Sequence, residues 1–142
     1  RHSCWTALPI SDIFFRLKKH QKDIVGCTYS TRSKPLKNVA FVDDLDLNLR
    51  LNAISGLHPV YAVGFGCILI KTEVFKKINA PWFYNKWDSY TETLVGEDIV
   101  FCEIVQKNNY TIYVDVDASK ELGHYGSKIY LLGETNEYST KV

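Results

Sequence analysis

Val63-Gly64-Phe65-Gly66-Cys67-Ile68-Leu69-Ile70-Lys71-Thr72-Glu73-Val74-Phe75-Lys76-Lys77-Ile78 is the stretch from which the fold is read. Its first half is an apolar run with glycines at positions 64 and 66, ending in Cys67-Ile68-Leu69-Ile70, which has the composition of a buried strand. The second half changes period. Thr72 is placed to cap a helix running to Ile78, with Val74, Phe75 and Ile78 on its inner face. Gly64-Phe65-Gly66 is too short for a dinucleotide fingerprint, and no helix follows at the required place. It marks a spot where backbone passes close to a ligand or to another chain segment.

Upstream, Ile10, Ile13, Phe14 and Leu17 have helical spacing. Ser11 or Asp12 is placed to start that helix, and Lys18, Lys19 and His20 sit where cations suit the helix dipole. Residues 23–29 read as a short buried strand, 30–37 as a loop and 39–42 as a second short strand. Leu45, Leu47, Leu49 and Leu51 alternate like a strand but are interrupted by acidic residues and Asn, so residues 43–56 stay ambiguous. Pro59-Val60-Tyr61-Ala62-Val63 then leads into the glycines.

Downstream, Pro81-Trp82-Phe83-Tyr84 reads as an aromatic turn and residues 85–95 as a polar loop. Gly96-Glu97-Asp98 opens a helix to about Lys107, ended by Asn108-Asn109. A strand over residues 110–114 follows, then Asp115-Val116-Asp117 and a loop holding Gly123-His124. Strands and helices interleave without internal repeats, which predicts an α/β layered domain over residues 1–130. The polar composition past Tyr130 predicts a C-terminal extension over 131–142.

Bulk properties bound the function. A chain of 142 residues with 46% hydrophobic residues is long enough for one packed core. Aromatic residues make up 13%, which fits core and boundary packing and also the rings that line binding pockets. A net charge of +1 gives no electrostatic case for nucleic acid or an anionic membrane, and Lys18-Lys19-His20-Gln21-Lys22 reads as a solvated helix end. No apolar run reaches transmembrane length and no signal-peptide pattern opens the chain. Cys4, Cys27, Cys67 and Cys102 are scattered, without a C-x-x-C pair. This argues against a zinc site or a disulfide framework and predicts buried free thiols in a reducing, cytoplasmic compartment. The chain starts at Arg1 and holds no Met, so a processed, truncated or incompletely written sequence is expected.

The candidate chemistry centres on Gly96-Glu97-Asp98. Backbone N–H groups and the dipole at a helix start favour negative charge, the form that a general base needs. Ordinary N-terminal capping explains the same residues. His124, between Gly123 and Gly126, can reach a metal or a phosphate, although a lone surface His is the more frequent outcome. Asp115 and Asp117 would project to one side of an extended strand like a D-x-D metal motif, though strand ends are commonly acidic. Together with His124 they leave a metal-dependent hydrolase open. No G-x-x-x-x-G-K-S/T loop, G-x-S-x-G elbow or H-E-x-x-H pair occurs.

The order of these features resembles a known family. Residues 63–78 resemble the glycosyltransferase pattern V-G-x-G-x-x-L-I-+-x-x-V-F-x-x-I. Pro81-Trp82-Phe83, then Gly96-Glu97-Asp98-Ile99-Val100-Phe101-Cys102, Tyr110-Thr111-Ile112-Tyr113-Val114-Asp115, Gly123-His124 and Gly126 follow in the family's sequence of features. Lys22-Asp23-Ile24-Val25-Gly26 and Tyr29-Ser30-Thr31-Arg32 resemble the segment after its metal motif. Across roughly residues 9–128 the chain thus resembles the C-terminal portion of family-2-like GT-A glycosyltransferases, including phage and large-virus members.

The resemblance implies a GT-A-like α/β/α fold and transfer of a sugar from a nucleotide-sugar donor to a saccharide or other hydroxyl acceptor, with inversion. Asp98 would be the catalytic base, with Glu97 helping to bind the acceptor. Gly64 and Gly66 would border the sugar and acceptor cleft, Trp82 and Phe83 would form part of its wall, and His124 would contact the metal or diphosphate. A divalent cation, Mn2+ or Mg2+, is the implied cofactor. The family's D-x-D would fall just before Pro9, where Cys4-Trp5-Thr6-Ala7-Leu8 stands instead. The nucleotide-gripping N-terminal part is therefore expected to be missing, and a non-catalytic carbohydrate- or partner-binding domain is the alternative.

Overall fold

A computed structural model describes residues 10–31, 38–41, 54–124 and 130–131. Its centre is a four-stranded mixed sheet in the order β3 (Leu57–Val60), β8 (Ile112–Asp115), β1 (Ile24–Gly26), β5 (Ile68–Ile70). The central pair β1 and β8 is parallel, with Val25 opposite Tyr113, and both outer strands run antiparallel to it. Residues on these strands alternate between two cores, as the period of two in a strand requires. Ile24, Val60, Ile112 and Val114 face one side, where they pack with Val74, Phe101, Cys102 and Val105. Val25, Cys27, Leu57, Leu69 and Tyr113 face the other, against Ile13, Leu17, Ala118 and Leu122.

Helices therefore cover both faces of the sheet. On one side lie α1 (Ile10–Lys19) and α4 (Val116–Ser119). On the other lie α2 (Thr72–Lys77) and α3 (Glu97–Lys107). In α1 the buried positions are Ile13 and Leu17, one helical repeat apart, and truncating a buried leucine of this kind costs about 2–5 kcal/mol. Phe14, which shares their helical spacing, is exposed and packs edge-on against Phe15. The helix already starts at Ile10, so Asp12 lies within its first turn rather than at the cap. Thr72 likewise is the first helical residue. The cap position belongs to Lys71, which makes no side-chain capping bond, so the sequence misplaced that boundary by one residue.

The expected short strand at residues 39–42 is β2 (Ala40–Phe41), paired antiparallel with β4 (Ala62–Val63). The expected polar loop at 85–95 is instead a hairpin. In it β6 (Lys86–Asp88) pairs with β7 (Thr93–Val95), putting Trp87 opposite Leu94. The Asp88 side chain accepts the Tyr90 N–H at 2.9 Å, an Asx-type turn that lets a polar sequence reverse direction. Gly123-His124, read as loop, forms β9, which pairs with β10 (Tyr130–Leu131). Residues 132–142, most of the predicted extension, lie outside the described residues, as do Cys4 and most of the ambiguous segment at 43–56. Among the described residues no helix is long and apolar enough to cross a membrane.

Candidate functional site around Asp98

Asp98 sits in the first turn of α3, whose cap is Gly96 in an extended conformation without a side-chain capping bond. Its carboxylate accepts the Ile99 N–H at 2.8 Å and is half-buried, whereas Glu97 beside it is exposed. One turn along the same face, the Cys102 thiol points at the Val63 carbonyl, 3.8 Å away. The start of α3 is thereby held beside β4, and Val63 leads straight into Gly64. Burial, with a smaller contribution from the Asp98 carboxylate, pushes the Cys102 thiol up to about 11.

The aromatic residues join the same corner. The rings of Phe83 and Phe101 stack at 5.0 Å, Phe65 meets Phe101 edge-on at 5.3 Å, and Phe75 meets Trp82 edge-on at 5.1 Å. Trp82 also donates its indole N–H to the Ile78 carbonyl at 3.2 Å. Phe101 is fully buried, while Trp82 and Phe83 keep an exposed side. One cluster thus ties Phe65, between the two glycines, to the 82–83 turn and to the helix that carries Asp98. Of the six residues expected at the donor and acceptor cleft, Trp82 and Phe83 belong to this cluster, Gly64 and Gly66 flank its Phe65, and Asp98 lies on the helix that carries Phe101. Glu97 adjoins it along the chain.

The glycines have a structural reason that the sequence left open. A Cβ at Gly66 would lie 2.7 Å from Tyr29 Cζ, and one at Gly64 would lie 2.7 Å from the Tyr29 hydroxyl. The Tyr29 hydroxyl in turn accepts the Gly66 N–H at 3.1 Å. The structure shows a close approach of other chain segments at both glycines: Tyr29, three places past β1, at each of them, and at Gly64 also Val39, whose carbonyl accepts the Gly64 N–H at 2.8 Å. Tyr29 was not singled out from sequence. The two closely spaced glycines were the one available signal, because residues without a Cβ leave room for a ring to pack on the backbone.

The acidic pair does not form a metal motif. Asp115 ends β8, is 4% exposed, and caps α4 by accepting the Ala118 N–H at 2.9 Å. Its other oxygen lies 2.8 Å from His20 Nε2. Asp117 falls within α4 rather than on an extended strand. It accepts the Gly56 N–H at 2.8 Å, and that hydrogen bond, chiefly, holds its carboxyl below the usual range. The two carboxylates serve separate structural bonds, so the expectation that they project together fails once the chain turns helical at Val116. The backbone of His124 lies in β9 opposite Tyr130. Among the described residues no three His, Cys, Asp or Glu side chains gather as a metal-ligand group.

No protein-family model matches the chain, and no curated protein matches it. Among solved structures it is similar to the crystal structure of A197 from STIV, with a TM-score of 0.50 and 17% identity. The match covers 89% of this chain and 60% of A197, so the chain spans less than two thirds of that protein. At this identity the likeness shows a shared fold alone.

Proposed function

We propose that the chain is the acceptor-side part of a GT-A-type glycosyltransferase, with Asp98 as the general base of an inverting transfer. The observation that supports this reading most is convergence. Residues far apart in sequence, whose order resembles that family, meet at one corner through the Phe65–Phe83–Phe101 cluster. The half-buried carboxylate of Asp98 stands at the rim of that corner, on a helix start whose N–H groups favour its charge.

In the proposed reaction the acceptor hydroxyl attacks the anomeric carbon of the donor sugar while the bond to the nucleoside diphosphate breaks. Asp98 takes the hydroxyl proton as the new glycosidic bond forms. Glu97, exposed beside it, would hydrogen-bond the acceptor, and the exposed sides of Trp82 and Phe83 would form an apolar wall for a sugar ring. A bound Mn2+ or Mg2+ would supply charge stabilisation to the departing diphosphate. His124 would be a protein ligand of such an ion.

The test is nucleotide-sugar turnover by wild type and Asp98→Asn. Loss of a positioned general base costs about 100- to 10,000-fold, and equal rates would reject the assignment. A second reading, a carbohydrate- or partner-binding domain without turnover, is favoured by the outward face of the β6–β7 hairpin, where Trp87 and Leu94 are each 62% exposed. It predicts saccharide binding that Trp87→Ala weakens and Asp98→Asn leaves unchanged.

A further inference from the structure

The register of β1 against β5 pairs Ile24 with Ile70, Val25 with Leu69 and Gly26 with Ile68. Carried one residue further, it sets Cys27 opposite Cys67. The Cys27 N–H confirms the pairing by donating to the Cys67 carbonyl at 2.9 Å. Four residues back along the same register the Lys71 N–H donates to the Asp23 carbonyl at 2.9 Å, an even step away, so Cys27–Cys67 is likewise a hydrogen-bonded pair. Such pairs have Cα atoms about 5.5 Å apart, inside the roughly 4.4–6.8 Å that a disulfide spans. Both side chains leave the same face of the sheet, in the core shared with Leu17 and Ala118.

We propose that Cys27 and Cys67 form a thiol–disulfide site, oxidised by a small-molecule disulfide such as glutathione disulfide. Cys67 is half-buried and Cys27 fully buried, so the oxidant reaches Cys67 first. The neighbouring Cys27 thiol draws the Cys67 thiol below its ordinary range, while the Cys67 sulfur and burial hold the Cys27 thiol above its own. The Cys67 thiolate attacks one sulfur of the disulfide, forming a mixed disulfide and releasing one glutathione thiolate. The Cys27 sulfur then attacks Cys67 Sγ, its proton passes to the first glutathione thiolate, and a second glutathione thiolate leaves and is protonated from solvent. Two protein thiols become one disulfide as one glutathione disulfide becomes two glutathiones.

The consequence is local. Cys67 follows Gly66 and Cys27 lies two residues before Tyr29, so the bond would brace the Tyr29–Gly66 contact beneath the candidate site. This inference is independent of the glycosyltransferase reading.

The experiment incubates the 142-residue chain with glutathione disulfide and follows intact mass and non-reducing peptide maps. The expected product has lost two hydrogens, carries a peptide linking Cys27 to Cys67, and reverts on reduction. Cys27→Ser should instead trap one glutathionyl group on Cys67. Cys67→Ser should leave Cys27 unmodified. A wild-type protein that retains glutathione on Cys67 without forming the bond would overturn the proposal. So would a disulfide involving Cys4 or Cys102, or thiols that stay unchanged while the denatured chain is oxidised under the same conditions.

Discussion

Replacing Gly66 by Ala tests why the glycines are there. The Gly66 backbone is not in the left-handed region, so alanine meets no dihedral penalty, and restricting the unfolded chain would by itself favour folding by about 0.4–1 kcal/mol. Against this, the added methyl would stand 2.7 Å from Tyr29 Cζ and 2.9 Å from its hydroxyl. The ring or the 64–66 backbone must give way, and overpacking of that order costs about 1–3 kcal/mol. The steric term wins, for a net loss of roughly 1–2 kcal/mol, or a Tm lower by about 3–8 °C for a chain of this size.

Urea unfolding followed by tryptophan fluorescence would measure the loss, and a double-mutant cycle with Tyr29→Ala would assign it. In the Tyr29→Ala background the methyl enters the space left by the ring, so Gly66→Ala should cost under about 0.5 kcal/mol. The coupling between the two sites is then roughly 1–2 kcal/mol. Additive effects would refute the claim that Tyr29 sets the need for glycine. A Gly66→Ala protein of undiminished stability that binds a ligand more weakly would instead restore the reading in which a ligand passes over this backbone.

Two further outcomes follow from the structure. The buried Cys102 thiol keeps its proton to about pH 11, whereas in the unfolded chain it ionises near 9.0. Its stabilising contribution is whole below pH 9 and is lost as pH rises towards 11. Wild type should therefore lose about 3 kcal/mol more than Cys102→Ala across that window, as read from denaturant midpoints; parallel pH profiles would contradict this. Asp115→Ala removes both the cap of α4 and the carboxylate facing His20, and should cost roughly 2–4 kcal/mol. A change below about 0.5 kcal/mol would show that neither bond matters to stability.

Local pattern was legible in the chain. The apolar repeat of Ile13 and Leu17, the runs at 23–29 and 67–70, and the helix opening at Gly96 each declare their element, because burial imposes a period, although the first of these strands ends at Gly26 rather than at Tyr29. The alternation of strand and helix was enough to give an α/β domain. The β6–β7 hairpin was missed because its turn rests on Asp88 rather than on glycine, and because its outward pair, Trp87 and Leu94, is exposed and so gives no burial signal. Asp115-Val116-Asp117 misled because a spacing of two means a shared side only in a strand, and the chain becomes helical within the motif.

The sequence by itself determined which residues are apolar, where the chain turns, and the order in which glycines, aromatics and carboxylates succeed one another. The packing of distant segments decided the rest. Only the tertiary structure set Tyr29 against Gly64 and Gly66, gathered Phe65, Phe83 and Phe101 beside the helix of Asp98, and brought Cys27 opposite Cys67 across forty positions of sequence. The physical reason is that register and ring packing depend on contacts between residues with no local relation. Spacing along a chain records such contacts only faintly, as two glycines left bare where a ring must fit.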